Sequence, residues 1–295
     1  MFALGESRWA LHSFRVCRFY LVVSLAFISG CVRPSAVARY AESAGRTTAE
    51  FPVLARDIHS SCLRFEAYKA QRAGSWYEDA ALRHACASRD TAVSALITVN
   101  RVLTSYLAAL GALADDRVAS ADWAIDRLSS ALVQKAGLDD AQVGAVERLA
   151  KYVSSATLEG YRRRQLAHAI QSRNADVQAV TLALSGVISH DFRAALDVES
   201  RALSSFYRSA VAENSAREPL AAILVREQHD RRAVELAEKR DAITAYLRAL
   251  ENVRAGHQKL YDNSRHINAA QVSADLLKAA DELDSIARQL ERAFK

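Results

Sequence analysis

Proline is nearly missing from this chain, and its scarcity limits the folds that the chain can adopt. Pro34, Pro52 and Pro219 are the only prolines in 295 residues, and only 10 glycines accompany them. Turns and sheet bends usually need both residue types, whereas the abundant Ala, Leu, Arg and Glu are strong helix formers. The sequence therefore predicts an all-α protein, an elongated antiparallel bundle of long helices.

Two predicted arms, about 36–72 and about 76–113, carry apolar stripes at three- and four-residue spacing and flank a turn at Gly74. Such spacing places apolar side chains on one helical face, so we expect the arms to pair as an antiparallel hairpin. Pro52 should kink or restart the first arm. The stripes are Phe51, Leu54, Ile58, Cys62, Phe65 and Tyr68 in the first arm, and Leu82, Cys86, Arg89, Val93, Leu96, Asn100, Leu103, Leu107 and Leu110 in the second.

An apolar segment near the beginning of the sequence, 19–28, has the surroundings of an export signal. Three arginines precede it and small residues follow it. Its end, Ile28-Ser29-Gly30-Cys31, resembles the lipobox of bacterial lipoproteins. This resemblance implies cleavage before Cys31, a diacylglyceryl thioether on the Cys31 sulfur and an acyl group on the new amino terminus. The alternative is an ordinary secretory signal in which the cysteine occurs by chance.

The implied lipid on Cys31 predicts a location for the protein. About ten apolar residues are too few to cross the roughly 30 Å hydrocarbon core, so a cleaved signal explains the segment better than a permanent span. More than one acyl chain makes anchoring stable. Val32, in a position where Asp would imply the inner membrane, implies the outer membrane by the same resemblance. The predicted organisation is a signal peptide at 1–30, a lipidated tether at 31–35 and a periplasmic helical body at 36–295, with a possible sub-boundary near 114–138.

Two cysteines of the predicted hairpin lie at matching heights. Cys62 precedes Gly74 by twelve residues, and Cys86 follows it by twelve. Both fall on the stripes that would face each other, and an exported protein meets an oxidising compartment. We therefore predict a Cys62–Cys86 disulfide that stabilises the fold by about 3 kcal/mol. One alternative is a metal site, in which His59 shares the helical face of Cys62 but His84 points nearly opposite to Cys86, so four ligands would not converge. The other alternative is two buried free thiols.

The remaining chain shows further helical segments with recognisable ends. Gly137 should end one helix, Pro219 should prevent a straight continuation of another, and Ser172–Asp176 is a weak boundary. Helices are predicted over about 120–136, 139–172, 176–214 and 220–261, and from about 269 onwards. Capping boxes are predicted for Ser75 with Glu78, Asp139 with Gln142, Ser215 with Glu218 and Asn268 with Gln271.

Common motifs of enzymes and cofactor proteins are missing from the sequence. No two glycines lie within five residues of each other, which excludes the phosphate loops GxxxxGK[ST] and GxGxxG and the nucleophile elbow GxSxG. HExxH and CxxC are absent, and no Glu is followed three positions later by His. We therefore predict no catalytic residue, no metal site and no cofactor. His257 falls on a core position, where we expect a buried, hydrogen-bonded side chain.

The predicted mature surface has a mixed charge. Removal of residues 1–30 takes away three Arg and one Glu, so 39 basic and 34 acidic residues become 36 and 33, a net charge of +3. A balance of this kind is not typical of nucleic-acid binding. We find no later apolar run of membrane length, so we expect the body to be soluble. The polar segment 226–232 is expected to face water or a partner.

Three classes of function follow from these observations. The first is a non-enzymatic envelope lipoprotein, held on the membrane through Cys31, whose helices bind another envelope protein or serve a structural role. The second is a helical bundle that binds a small ligand in a concave site. The third is an enzyme whose site is assembled from distant residues, and no motif in the sequence supports it.

Overall fold

The computed structural model describes residues 35–73, 79–115, 134–158 and 164–294, and these ranges form helices joined by turns, without a strand. The predicted all-α class is therefore confirmed. A π-helical segment, Ile188–Phe192, lies between two of the helices. The helices are α1 (Ala36–Ala49), α2 (Phe51–Arg72), α3 (Asp79–Ala85), α4 (Ala87–Ala114), α5 (Asp140–Leu158), α6 (Arg164–Val187), α7 (Arg193–Asn214), α8 (Pro219–Asp262) and α9 (Ala270–Ala293).

The first predicted arm is divided at Pro52. Helix α1 ends at Ala49, and α2 begins at Phe51 with Pro52 in its first turn. Proline is tolerated at this place because the first amides of a helix have no acceptor within the helix. The arm therefore restarts at the proline, which is one of the two outcomes that the sequence predicts.

The two arms pair in the antiparallel direction. Helix α1 packs along α4, and Asn100 Nδ2 donates a hydrogen bond to Thr48 O at 2.8 Å. Asn100 and Thr48 are equally far in sequence from position 74. This is the pairing register expected for a hairpin that turns at Gly74. Gly74 itself and the predicted capping box of Ser75 with Glu78 lie outside the described residues.

Cys62 and Cys86 continue the same register and are joined by a disulfide, which confirms the predicted pair. Their Cα atoms lie 6.0 Å apart, within the usual range. Cys62 lies within α2, whereas Cys86 occupies a turn between α3 and α4. The second arm is therefore interrupted rather than continuous. Arg89, which we placed on its apolar stripe, is exposed, because the face of α4 is buried only from Val93 onwards.

The predicted boundary at Ser172–Asp176 is wrong, because these residues lie inside α6. Two of their polar side chains, Asn174 and Asp176, are buried and have partners on other helices. Arg148 Nε donates to Asp176 Oδ1 at 2.7 Å, and Asn174 Nδ2 donates to Gln258 Oε1 at 2.8 Å. Hydrogen bonds between helices therefore outweigh the weak helix propensity of this stretch.

A second antiparallel hairpin consists of α6, the π-helical segment and α7 on one side and α8 on the other. Gln178 Nε2 donates to Arg254 O at 3.0 Å between α6 and α8. Helix α7 ends at Asn214 and α8 begins at Pro219, so the chain turns where the proline predicts.

The predicted helix 139–172 is two helices, since α5 ends at Leu158 and α6 begins at Arg164. The predicted helix 120–136 falls mostly outside the described residues.

The predicted start of α5 is confirmed in detail. Gln142 N donates to Asp139 Oδ1 at 2.8 Å, and Asp139 N donates to Gln142 Oε1 at 3.0 Å. This reciprocal pair is the capping box that the sequence predicts. Gly137 precedes it at a φ of 77°, a left-handed conformation that Gly adopts without the penalty of a Cβ.

Two other predicted capping boxes are wrong. Glu218 is the N-cap of α8 and Ala269 is the N-cap of α9, and neither side chain makes a capping hydrogen bond. Proline is favoured at the first position of a helix, so α8 begins at Pro219. A helix capped by Ser215 would have begun three residues earlier. The N-cap of α9, Ala269, lies one residue beyond Asn268. The capping pattern alone did not determine these two boundaries.

The two hairpins and α9 enclose a common hydrophobic core. Helix α1 is the central element, because it packs against both α4 and α9 and also contacts α8. Helices α5 and α6 connect α4 to α8 on the other side of the core. From Ser35 onwards, the described residues cluster as one compact unit.

Helix α4 differs from our expectation that no later apolar run reaches membrane length. Among the described residues, Ala87–Ala114 is long and apolar enough to cross a membrane, with a window of mean hydropathy 1.4. Of that window, 61% is buried inside the helical body. Its contacts with α1, α2, α5 and α6 explain this hydropathy, because a helix surrounded by protein is apolar on most sides.

The close approach of α1 to α8 depends on Gly256. A Cβ at this position would lie 2.5 Å from Cζ and 2.7 Å from Oη of Tyr40. The Tyr40 ring is fully buried, and its hydroxyl donates to Val253 O at 2.6 Å, so the ring has little room to move. We expect Gly256→Ala to lower the free energy of unfolding by about 1–3 kcal/mol, the usual cost of overpacking, measured by urea denaturation.

Gly186→Ala is the matched control for this substitution. Gly186 also lies in a helix, but no heavy atom is found within 4 Å of its added Cβ. Because Ala is a better helix former, this variant should gain up to about 1 kcal/mol. A gain of stability in both variants would contradict the close contact of Gly256 with Tyr40.

Candidate functional site

The lipidation site predicted from the lipobox, Cys31, lies outside the described residues. The disulfide Cys62–Cys86 is present, and both sulfurs are therefore unavailable as thiolate ligands of a metal. His84 is exposed, and His59 Nδ1 lies 3.9 Å from Asp90 Oδ1. Among the described residues, no group of three or more His, Cys, Asp or Glu side chains is arranged to hold a metal ion.

His257 is fully buried and belongs to a hydrogen-bonded chain. Its Nδ1 lies 2.8 Å from Asn174 Oδ1, which can only accept, so Nδ1 carries the hydrogen. Its Nε2 then accepts from the Tyr106 hydroxyl at 2.7 Å. Asn174 donates onward to Gln258, and Gln258 Nε2 donates to Asp262 Oδ1 at 2.8 Å. The chain joins the buried Tyr106 to the exposed Asp262, and both ring nitrogens are occupied by protein partners.

This geometry makes His257 a structural residue of the core. Burial lowers the pKa of His257 from 6.5 to about 4, so the ring stays neutral near pH 7. Burial also raises the pKa of Tyr106 well above 10.0, so the phenol keeps the hydrogen that it donates. A neutral pair with satisfied hydrogen bonds stabilises the packing of α4, α6 and α8.

The lowered pKa of His257 predicts acid sensitivity. Between pH 6.5 and pH 4 the unfolded state binds a proton that the folded state excludes, so stability falls as the pH falls. From pH 7 to pH 5, His257 should contribute a loss of about 2 kcal/mol in the free energy of unfolding. Urea denaturation at a series of pH values measures this loss.

A comparison of two histidine variants isolates the contribution of His257. His257→Gln should be less stable at pH 7 because one hydrogen bond is lost, but its stability should fall less steeply towards pH 5. His168→Gln, at an exposed position of α6, is the control, and its free energy of unfolding should depend on pH as in the wild-type protein. An unchanged slope in His257→Gln would contradict the assignment.

A cleft of about 610 Å³ lies beside the disulfide, between α2, α4, the π-helical segment and α7. This volume is within the range of small-molecule sites in proteins. Its apolar lining comes from distant parts of the chain, and periodicity within one helix could not have revealed it. The apolar side chains that line it include Ile58, Phe65, Val93, Leu96, Phe192 and Val198.

The charged residues of the cleft are not equally free. Glu66 accepts a hydrogen bond from Lys69 at 2.8 Å, and Asp191 Oδ1 lies 2.7 Å from His190 Nδ1. Arg89 and Lys135 also line the cleft, and both are exposed. Neither of these two cations makes an ion pair with a described residue.

An exposed apolar surface occupies the first half of α8. Its four side chains are between 57% and 71% exposed, and they recur at the spacing of a single helical face. Glu227 and Arg231 lie on the same face and form an ion pair at 3.2 Å. The sequence pattern predicts only a polar segment at 226–232, and the exposed apolar residues around it were not predicted. The α8 apolar surface consists of Leu220, Ile223, Leu224 and Val234.

A partly buried charged cluster joins α2, α7 and α8, and its Glu199 is buried. Arg64 Nη2 donates to Glu199 Oε2 at 3.0 Å, and Arg64 Nη1 donates to Asp57 Oδ1 at 3.3 Å. Lys239 Nζ donates to the same oxygen of Asp57 at 2.8 Å. Burial alone would lower the pKa of Arg64, but the hydrogen bond to Glu199 and the nearby carboxylates outweigh it and raise that pKa. The two carboxylates and two cations balance each other, which favours a structural role.

Comparison of the chain with protein-family models, with curated proteins and with solved structures finds no significant match in any of the three.

Proposed function

We propose that this chain is a lipid-anchored bacterial envelope lipoprotein whose helical body binds another envelope protein without enzymatic activity. In this proposal Cys31 carries the lipid, the anchor lies in the outer membrane and the body faces the periplasm. The lipobox Ile28-Ser29-Gly30-Cys31 supports the anchor, and Val32 supports the outer membrane. The disulfide between Cys62 and Cys86 supports export, because disulfides rarely persist in the cytosol.

The observation that carries the interaction role is the α8 apolar surface. Leu220, Ile223 and Leu224 are each more than half exposed, although the second half of the same helix buries its apolar face in the core. Clustered exposed apolar side chains, with charged residues beside them, are typical of protein interaction sites. Glu227 and Arg231 would supply the polar contacts that orient a partner. The proposed partner is an envelope protein with a complementary apolar groove or helix face.

Labelling with a palmitate analogue tests the anchor. The wild-type protein should incorporate the label and sediment with membranes, and Cys31→Ala should lose both properties. Cys17→Ala is the matched control, because Cys17 also lies near the start of the sequence but outside the lipobox, and its label should be unchanged. Unmodified Cys31 in the purified native protein, shown by mass spectrometry, would contradict the anchor.

Site-specific photo-crosslinking in intact cells tests the partner. A photoreactive residue at Leu220 or Leu224 should capture one envelope protein, and the same residue at Leu182, an exposed apolar position of α6, should not. The double variant Ile223→Glu with Leu224→Glu should lower the crosslink from Leu220 by about tenfold, because charge is placed in the contact. Its stability should change by less than about 0.5 kcal/mol, since both side chains are exposed.

Two results would contradict the proposed partner. Crosslinks of equal yield from Leu182 and Leu224 would mean that the α8 apolar surface is not selective. Crosslinks of Leu224 only to a second copy of the chain would replace the envelope partner with self-association.

A further inference from the structure

The cleft beside the disulfide is separate from the α8 apolar surface and has the characteristics of a ligand site. Its floor is built from the apolar side chains of Ile58, Phe65 and Phe192, which come from α2 and the π-helical segment. Phe192 is 2% exposed and Ile58 is 4% exposed, so both are anchored in the core. An apolar floor on a rigid core can bury the hydrocarbon part of a ligand.

The π-helical segment supplies a second, independent observation. It lies between α6 and α7, and two of its residues, Asp191 and Phe192, line the cleft. Segments of this kind are rare and are frequently found at functional sites. Here the segment places a buried aromatic ring and an exposed carboxylate next to each other at the wall of the cleft.

The charges around the cleft favour an anionic head group. The carboxylate of Glu66 is already hydrogen-bonded to Lys69, and that of Asp191 is beside His190. By contrast, neither Arg89 nor Lys135 forms an ion pair with any residue that the structure describes. An incoming anion would therefore meet two cations without displacing an existing partner.

We propose that this cleft binds an amphiphile with an apolar chain and an anionic head group. The hydrocarbon chain packs on the floor of Ile58, Phe65 and Phe192, and the head group pairs with Arg89 and Lys135. A fatty-acid carboxylate and a lysophospholipid phosphate share this chemistry. The cleft and the α8 apolar surface are formed by different residues, so either proposal can fail without the other.

Photoaffinity labelling of the full chain in non-ionic detergent tests this inference. The probes are photoreactive palmitate, photoreactive lysophosphatidylglycerol and, as the uncharged comparison, a photoreactive monoacylglycerol. Peptide mass spectrometry maps the labelled residues. We expect one or both anionic probes to label the walls of the cleft about tenfold more strongly than the uncharged probe. Labelling by palmitate alone identifies a carboxylate ligand, and labelling by both identifies a general anionic head group.

Two pairs of variants separate charge from volume. Arg89→Gln with Lys135→Gln should reduce labelling by the anionic probes about tenfold, whereas Lys151→Gln with Arg201→Gln, which removes two exposed cations elsewhere, should not. Ala92→Trp places a large ring in the cleft and should block all probes, whereas Ala175→Trp at an exposed position of α6 should not. Circular dichroism of each variant checks that it is folded.

The inference would be overturned by either of two results. One is equal labelling by charged and uncharged probes with no effect of the Arg89 and Lys135 substitutions. The other is labelling that maps outside the cleft in the wild-type protein.

Discussion

Replacement of Arg64 by Met is expected to lower the free energy of unfolding by about 3–5 kcal/mol. Glu199 is only 2% exposed, and Arg64 is the residue that donates two hydrogen bonds to it. Met has a similar length but no charge, so the buried carboxylate would lose its partner. Asp57 would keep Lys239, so the loss falls mainly on Glu199. Urea denaturation at pH 7 measures the change.

Two comparisons distinguish this cause from a general effect of arginine removal. Arg83→Met removes an exposed ion pair with Asp79 and should change stability by less than about 0.5 kcal/mol. Adding Glu199→Leu to Arg64→Met should recover a large part of the loss, because no unpaired charge then stays buried. A double variant as unstable as Arg64→Met alone would show that packing, and not the unpaired carboxylate, causes the loss.

Loss of the disulfide is expected to have the second largest effect. Cys62 and Cys86 are 24 positions apart in the sequence, and the chain-entropy model gives about 3 kcal/mol for a loop of that size. Cys62→Ala with Cys86→Ala should therefore unfold at a lower urea concentration than the oxidised protein. The wild-type protein in reducing buffer should show nearly the same loss. If reduction leaves the urea midpoint unchanged, the loop constraint does not contribute to stability.

Local patterns in the sequence predicted the helices and the first hairpin well. Three- and four-residue spacing identified the stripe that buries Val93, Leu96 and Leu103, and the position of Gly74 predicted the register of Cys62 with Cys86. These predictions succeed because helix periodicity and the length of a hairpin arm depend only on residues near each other in the chain.

Features that depend on distant residues could not be predicted in the same way. Asn174 and Asp176 resembled a boundary because the partners that satisfy these two buried side chains, including Arg148 and Gln258, lie on other helices. The Arg64–Glu199 pair joins residues 135 positions apart, and no local signal connects them.

The candidate sites also include features that local sequence patterns predict and features that depend on distant residues. The position of His257 on a core face followed from heptad spacing, but its partners Tyr106 and Asn174 did not. The cleft is formed by residues from Ile58 to Val198, so it exists only after the helices have packed. The α8 apolar surface could have been found from Leu220, Ile223 and Leu224. Their spacing is helical, but they lie on a different face of α8 from the residues that it buries.

The packing of α1 against α9 has a consequence for synthesis of the chain. Arg39 and Arg46 both bind Asp284, and Thr47 Oγ1 donates to Leu283 O at 2.9 Å. A ribosome makes α1 first, so one side of this helix must wait for a partner encoded more than two hundred residues later. Nascent chains that stop before α9 would carry an uncovered apolar strip, and we expect proteases and chaperones to recognise them as incomplete.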